Sequence, residues 1–381
     1  MMGASALQEL IEDKRVVVVC GAGGVGKTTT SASLALAAAR SGRRVLVITI
    51  DPSKRLAQTL DVSPNAPEPT AIARDRLAAL QVPDSGTLSA WMLDPQAVSD
   101  AMVRRLTPDA ATAERLLENR VYRNITSMIA GMQEYMAVEA LHEFIRTDLY
   151  DLIVLDTPPS RDALRFLDAP SRSTAFLDRR VLGLFIPDTE NRLRRAAASL
   201  FEGLLDLAFG KRARAEIQQF FVLFEQILAY LGGSHEEMQS FFGGPGIAFL
   251  LVSSPASASL AEADYFAMKA GELDLPVAGF VLNRSLAPTL GDAMPTAELL
   301  PSDASVALQE AWAVLQPLAE AEAALAKLHG ELATSLKEKY PEGFVVALPE
   351  LPAAASELLS LQSLAETLEG STGRSQPDPQ S

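Results

Sequence analysis

Cysteine is almost missing from this chain: one residue in 381, Cys20, at the end of an apolar run. A single thiol excludes an internal disulfide and any cysteine cluster for a metal or iron–sulfur group within the chain. Basic charge is scarce too. The 33 Lys and Arg against 48 Asp and Glu leave a net charge of −15, so no bulk attraction to nucleic acid or to an anionic membrane is expected. The three histidines, His142, His235 and His329, lack a serine or cysteine nucleophile context and read as surface or packing residues. Long apolar runs are absent: IAFLLV at 247–252 is far short of the ~20 residues that cross a bilayer. The opening MMGASALQELIEDKR lacks the basic start and apolar core of a secretory signal. These absences predict a soluble, cytoplasmic protein, and 48% hydrophobic residues are ample for a core.

What is present is rhythm. RVVVVC, RVLVITID, LIVLDTPP, IAFLLVSSP, VAGFVLNR and FVVALPEL are short, near-continuous apolar runs, each followed by turn or helix signals. Strands buried on both faces look like this. TTTSASLALAAARSG, closed by Gly42, is a helix pattern that completes a βαβ unit. The predicted fold is α/β, a mostly parallel sheet flanked by helices on both faces. It is read as one domain over 1–368, with helical insertions at about 95–146 and 171–242. The polar stretch 369–381, EGSTGRSQPDPQS, is expected to be a disordered tail. The second insertion holds nine of the chain's fifteen phenylalanines, among them Phe176, Phe220, Phe221, Phe224 and Phe242.

The stretch GAGGVGKTTT, Gly21 to Thr30, carries the phosphate-loop pattern in Gly21, Gly26, Lys27 and Thr28. A strand precedes it and a helix follows, the context in which backbone N–H groups of Gly21, Gly23, Gly24, Val25, Gly26, Lys27, Thr28 and Thr29 converge on phosphate oxygens. Lys27 is placed to reach the outer phosphates and Thr28 to bind magnesium. Asp51 in IDPSKRL and Asp156 in LDTPPSRD end neighbouring strands, so they face the same crevice. Asp156 suits magnesium or its waters; Asp51 suits the metal shell and the orientation of an attacking water. Helix capping is the alternative for both. The guanine-reading N-K-x-D pattern is absent, and the amide of Asn283 in VLNR could read adenine or belong to an ordinary turn.

GGVGKTT, IDPSKRL, LDTPPSRDALRFL, VLNR and VVALPELP, in this order, resemble the ArsA-type P-loop ATPases, the family of the arsenite-pump ATPase and of the targeting factor for tail-anchored membrane proteins. The resemblance spans about Arg15 to Leu368. It implies an ATP- and Mg2+-dependent ATPase working as a homodimer, with Asp51 as the switch residue that activates water and Asp156 to Arg165 as the second switch. It implies further that Asn283 contacts adenine and that Pro349 lies in the loop packing on the base. In the targeting branch the insertions form an apolar groove for a client's membrane helix. The Phe-rich stretch and the methionines Met128, Met132 and Met136 could line such a surface or fill a core.

Three departures qualify the resemblance. No C-x-x-C pair follows VLNR, so a zinc-clasped dimer is excluded, and one cysteine cannot sense arsenite through several thiolates. The family's extra loop lysine, which crosses the dimer to the partner's nucleotide, is Ala22 here. A cation supplied in trans is worth ~10³ to 10⁵ in rate in related phosphoryl transfers. Arg161, and then Lys54 or Arg55, are the candidates to replace it, with solvated surface charge as their alternative role. A ParA- or MinD-like positioning ATPase and a nonhydrolysing nucleotide-binding scaffold stand as the rival functions.

Overall fold

Strands made almost wholly of apolar residues have no polar face to offer water and must be covered on both sides. The computed structural model places such strands centrally; it describes residues 2–50, 55–120, 122–123, 132–158, 216, 220, 241–289, 305–351 and 357–370. The chain separates into two compact units, one of Met1–Met92, Tyr150–Arg161 and Pro245–Ser381, the other of Leu93–Leu149 and Asp162–Gly244.

The first unit is built on eight strands: β1 (Val16–Gly21), β2 (Arg44–Thr49), β3 (Thr70–Ala71), β4 (Thr87–Met92), β5 (Leu152–Asp156), β6 (Ile247–Ser253), β7 (Val277–Ser285) and β8 (Phe344–Pro349). Their order is β3-β4-β2-β5-β1-β6-β7-β8. Every neighbouring pair is parallel except β3 with β4 at the edge. The expected α/β fold is therefore present, and all six strands read from the sequence exist. β1 and β6 are buried along their whole length. The second strand ends at Thr49, two residues short of Asp51.

Helices of both units follow in chain order: α1 (Met2–Asp13), α2 (Lys27–Arg40), α3 (Arg55–Leu60), α4 (Arg74–Ala79), α5 (Pro95–Leu106), α6 (Ala110–Glu118), α7 (Met132–Thr147), α8 (Ser257–Glu272), α9 (Val306–Lys339) and α10 (Glu357–Leu368). The small residues of α2 let it lie close to the sheet, with α1 and α10 packed over it. Leu34 and Leu36 are wholly buried, each contributing about 1.5–3 kcal/mol relative to exposure. Gly42, at φ 91°, turns the chain out of α2, its N–H donating to Ala39 O at 3.0 Å. This is the left-handed helix stop that glycine supplies without a Cβ penalty. Glu369 and Gly370 close α10, the Glu369 N–H donating to Ala365 O at 2.9 Å; residues 371–381 lie outside the described set.

Helix α9 runs 34 residues, about 50 Å at the α-helical rise. Only Ala326 and Leu336 are fully buried on it. Leu308, Val314, Leu315 and Leu318 in its first half are exposed. In the second unit α5, α6 and α7 make the first helical stretch, and Met136, Phe220 and Phe242 are buried. Those three side chains fill a core. Tyr122 is buried there as well, its hydroxyl donating to Asp100 Oδ1 and paired with Ser99 Oγ, both at 2.8 Å. Met128 and the remainder of 171–240, apart from Glu216 and Phe220, lie outside the described residues. Among the described residues no helix is long and apolar enough to cross a membrane.

At the N-terminal ends of the strands, Arg43 and Arg44 knit the unit together. The half-buried Arg43 guanidinium donates to the carbonyls of Ile11, Lys14 and Asp151, joining α1 to β5. Arg44 pairs with the Asp151 carboxylate at 2.6 Å. Its side-chain hydrogen bonds, helped by its backbone N–H, hold the Asp151 carboxyl below the usual carboxylate range. A carboxyl depressed in the folded state stabilises the fold above its unfolded value of about 3.9 and loses that contribution as pH falls through the folded value. Asp151→Asn is therefore expected to cost about 0.5–1 kcal/mol at pH 7, the pair being partly exposed. The gap to wild type should shrink below about pH 4. Urea unfolding across this range measures it; a gap independent of pH would show that the charge contributes nothing.

Candidate functional site

A parallel sheet directs the C-terminal ends of its strands to one edge, and the loops leaving that edge share a crevice. Thr28, Thr49 and Asp156, from distant parts of the sequence, meet there. The loop Ala22–Gly26 leaves β1 and enters α2. Gly26 caps α2 in the left-handed conformation, φ 92° and ψ 27°, and has no side chain to occupy the helix start. Backbone donors and the positive end of the helix dipole are thus presented together, the arrangement that attracts phosphate. Gly23 and Gly24 are exposed on the loop, while Thr28 and Thr29 are half-buried in the first turn.

Lys27 is 7% exposed and turns back along the loop, its Nζ donating to Gly21 O at 3.1 Å and to Ala22 O at 2.9 Å. Bonds to neutral carbonyls are weaker than charge-assisted bonds to phosphate, so an outer phosphate would compete well for this ammonium. Asp156 ends β5 and is wholly buried. Its Oδ2 accepts from Thr28 Oγ1 at 2.8 Å and from Thr49 Oγ1 at 2.9 Å. A buried carboxylate beside the helix-start hydroxyl is an oxygen donor set suited to a hard divalent cation, and Thr28 and Asp156 are the residues that would hold magnesium.

Asn283 lies near the end of β7, 6% exposed, and its Nδ2 donates to Val25 O at 2.8 Å. The amide read as an adenine contact thus also braces the phosphate loop. Pro349 is half-buried at the end of β8, opposite Ser285 of β7. Asp51, Lys54 and Arg161 lie outside the described residues. One site residue, Thr49, escaped the sequence reading, and Thr157 lies inside the stretch read as the second switch. Thr49 is the partner of Asp156, and Thr157 Oγ1 donates to Val19 O at 2.8 Å beside the loop. Burial pushes the Cys20 thiol up to about 12, which makes it an inert core residue. Ala22 is 6% exposed and belongs to the hydrophobic core.

The Gly26–Asn283 approach yields a direct test. A Cβ on Gly26 would stand 2.2 Å from Asn283 Nδ2, whereas one on Gly24, at φ 77°, meets nothing within 4 Å. Gly24→Ala should cost about 1–2 kcal/mol from backbone strain alone. Gly26→Ala should cost at least about 1 kcal/mol more, and Asn283→Ala in the same chain should recover part of that excess. Equal unfolding free energies for the two single variants would contradict the close contact.

Residues 14–298 match the ArsA ATPase family, described as anion-transporting ATPase. Relatives include "ATPase ASNA1 homolog 1" of Paramecium tetraurelia, 32% identical over 43% of this chain and 47% of the relative. "ATPase ARSA2" of Chlamydomonas reinhardtii is 32% identical over 43% of this chain and 41% of its own length. "ATPase get3" of Aspergillus terreus is 28% identical over 44% and 46% respectively. The matches span about half the length of these relatives. With the parallel sheet, the glycine loop at the start of α2 and the Thr28–Asp156 pair in place, the family match is reached from both sides, and the chain belongs to the ArsA ATPase family.

Proposed function

We propose that this chain binds ATP with magnesium and hydrolyses it, and that 1–368 acts as one ATPase domain whose turnover rearranges the helical insertions around an apolar partner. The observation that carries this reading is the hydrogen bond between Thr28 Oγ1 and the buried Asp156 carboxylate at the mouth of the phosphate loop. In it, the loop N–H groups from Gly21 to Thr29 grip the phosphates and Lys27 leaves the carbonyls of Gly21 and Ala22 for the outer phosphate oxygens. Magnesium, when bound, supplies neutralising charge to those oxygens. Asp51 orients the attacking water and accepts its proton. Asn283 and Pro349 flank the base. The protein acts as a cytoplasmic homodimer whose partner is a hydrophobic helix or a membrane protein, and it needs no nucleic acid.

Ala22 supports a second reading. Its methyl group lies in the core, so this position supplies no positive charge to a partner's nucleotide, and a nucleotide-binding scaffold without turnover fits that fact. Arg161, with Lys54 beside Asp51, is the cation proposed to act instead. Steady-state phosphate release with Mg-ATP separates the readings. Lys27→Ala should abolish turnover, and Asp51→Asn should lower kcat by about 10² or more while ATP still binds. Arg161→Ala should lower kcat by at least about tenfold. Tight ATP binding by wild type with no turnover would leave the scaffold. A synthetic apolar helix should bind in a nucleotide-dependent way, and equal binding with and without ATP would remove the coupling.

A further inference from the structure

The second half of α9 packs against β7 and β8, and on it His329, half-buried, accepts the N–H of Leu286 at Nδ1, at 3.0 Å. A backbone N–H can only donate, so Nδ1 carries no proton and the ring hydrogen sits on Nε2. Leu286 follows Asn283 by three residues, and the chain between them is kinked. Arg284 has φ 55°, left-handed for a residue with a Cβ. The pairing of β7 with β8 shifts register between Leu282 and Ser285. Ser285 is buried and its Oγ accepts from Ala287 N at 3.1 Å. A left-handed non-glycine residue persists only where its surroundings hold it. On the upstream side the Asn283 amide bonds Val25 O of the phosphate loop; on the downstream side the bond is to His329.

We propose that His329 is a positioning residue for the nucleotide site: by accepting the Leu286 N–H it holds the kink that sets Asn283 against the phosphate loop. The inference rests on the nucleotide reading and adds to it a residue that touches neither nucleotide nor metal. It also makes α9 a structural link to the site, since the imidazole is carried by the same helix whose first half is exposed and apolar. An acceptor at this point is what matters, not a ring. Asparagine can present its Oδ1 about where Nδ1 stands, whereas leucine leaves the Leu286 N–H without its partner.

The test uses the full chain and a fluorescent N-methylanthraniloyl-ATP analogue with magnesium. His329→Leu should raise the analogue's Kd by about tenfold, the scale of one lost hydrogen bond to a half-buried donor. His329→Asn should stay within about threefold of wild type, and KM for ATP should rise in the leucine variant more than kcat falls. His329→Phe, which keeps the bulk without the acceptor, takes the place of the leucine variant if that does not fold. Wild-type protein that binds the analogue while both acceptor-less variants bind equally well overturns this inference alone. An asparagine variant as weak as the leucine variant also overturns it. Wild-type protein that fails to bind the analogue overturns the nucleotide reading and this inference together.

Discussion

A single carboxylate oxygen, Asp156 Oδ2, accepts hydroxyl hydrogens from Thr28 and Thr49, and the site depends on that shared acceptor. It joins the end of β5, the first turn of α2 and the end of β2, with the acid wholly buried. Burying an ionised carboxylate is expensive unless donors compensate it. The two threonines supply part of that compensation, and in doing so they fix where the helix start stands relative to two neighbouring strands. The phosphate loop inherits its placement from this junction on one side. On the other it is braced by the Asn283 amide at Val25 O. The loop is therefore held by side chains from strands on both sides of β1.

The legibility of the fold follows from burial. β1, β2, β5, β6 and β7 announced themselves because strands covered on both faces must be apolar throughout, and β8 because its run is apolar although its burial alternates. β4 did not. TLSAWM contains Thr, Ser and Ala, and Ser89 is buried between paired strands without any apolar run to reveal it. The two-residue β3 is too short for periodicity to act on. Within the site, Gly26, Lys27 and Thr28 were legible because their spacing is local and their chemistry is set by one turn of backbone. Asp156 was legible from its strand. Thr49 was not, since an ordinary threonine at a strand end acquires its role only from Asp156, 107 residues away. His329 read as a surface or packing residue because a backbone N–H from Leu286 leaves no trace in the sequence around it.

Ala22 changes meaning once its surroundings are known. As a letter in the loop it reads as a charge deleted from a shared site. In the folded chain its methyl group fills space in the core and its carbonyl receives the Lys27 ammonium. The position is integrated into packing, so exchanging alanine for a long cation is a change of core volume as well as of charge. The loop has been built around the small residue, and any compensating cation has to come from a different segment.

The lone cysteine has a practical consequence. Cys20 is completely buried in β1, and its thiol titrates far above neutrality, so thiol reagents at neutral pH meet almost no thiolate. The native chain is chemically silent toward maleimides and spin labels without any residue having to be removed. A reporter cysteine introduced on the exposed half of α9, or on a surface position of either unit, would be the sole reactive thiol. Distances within the chain can thus be followed in an otherwise unaltered background.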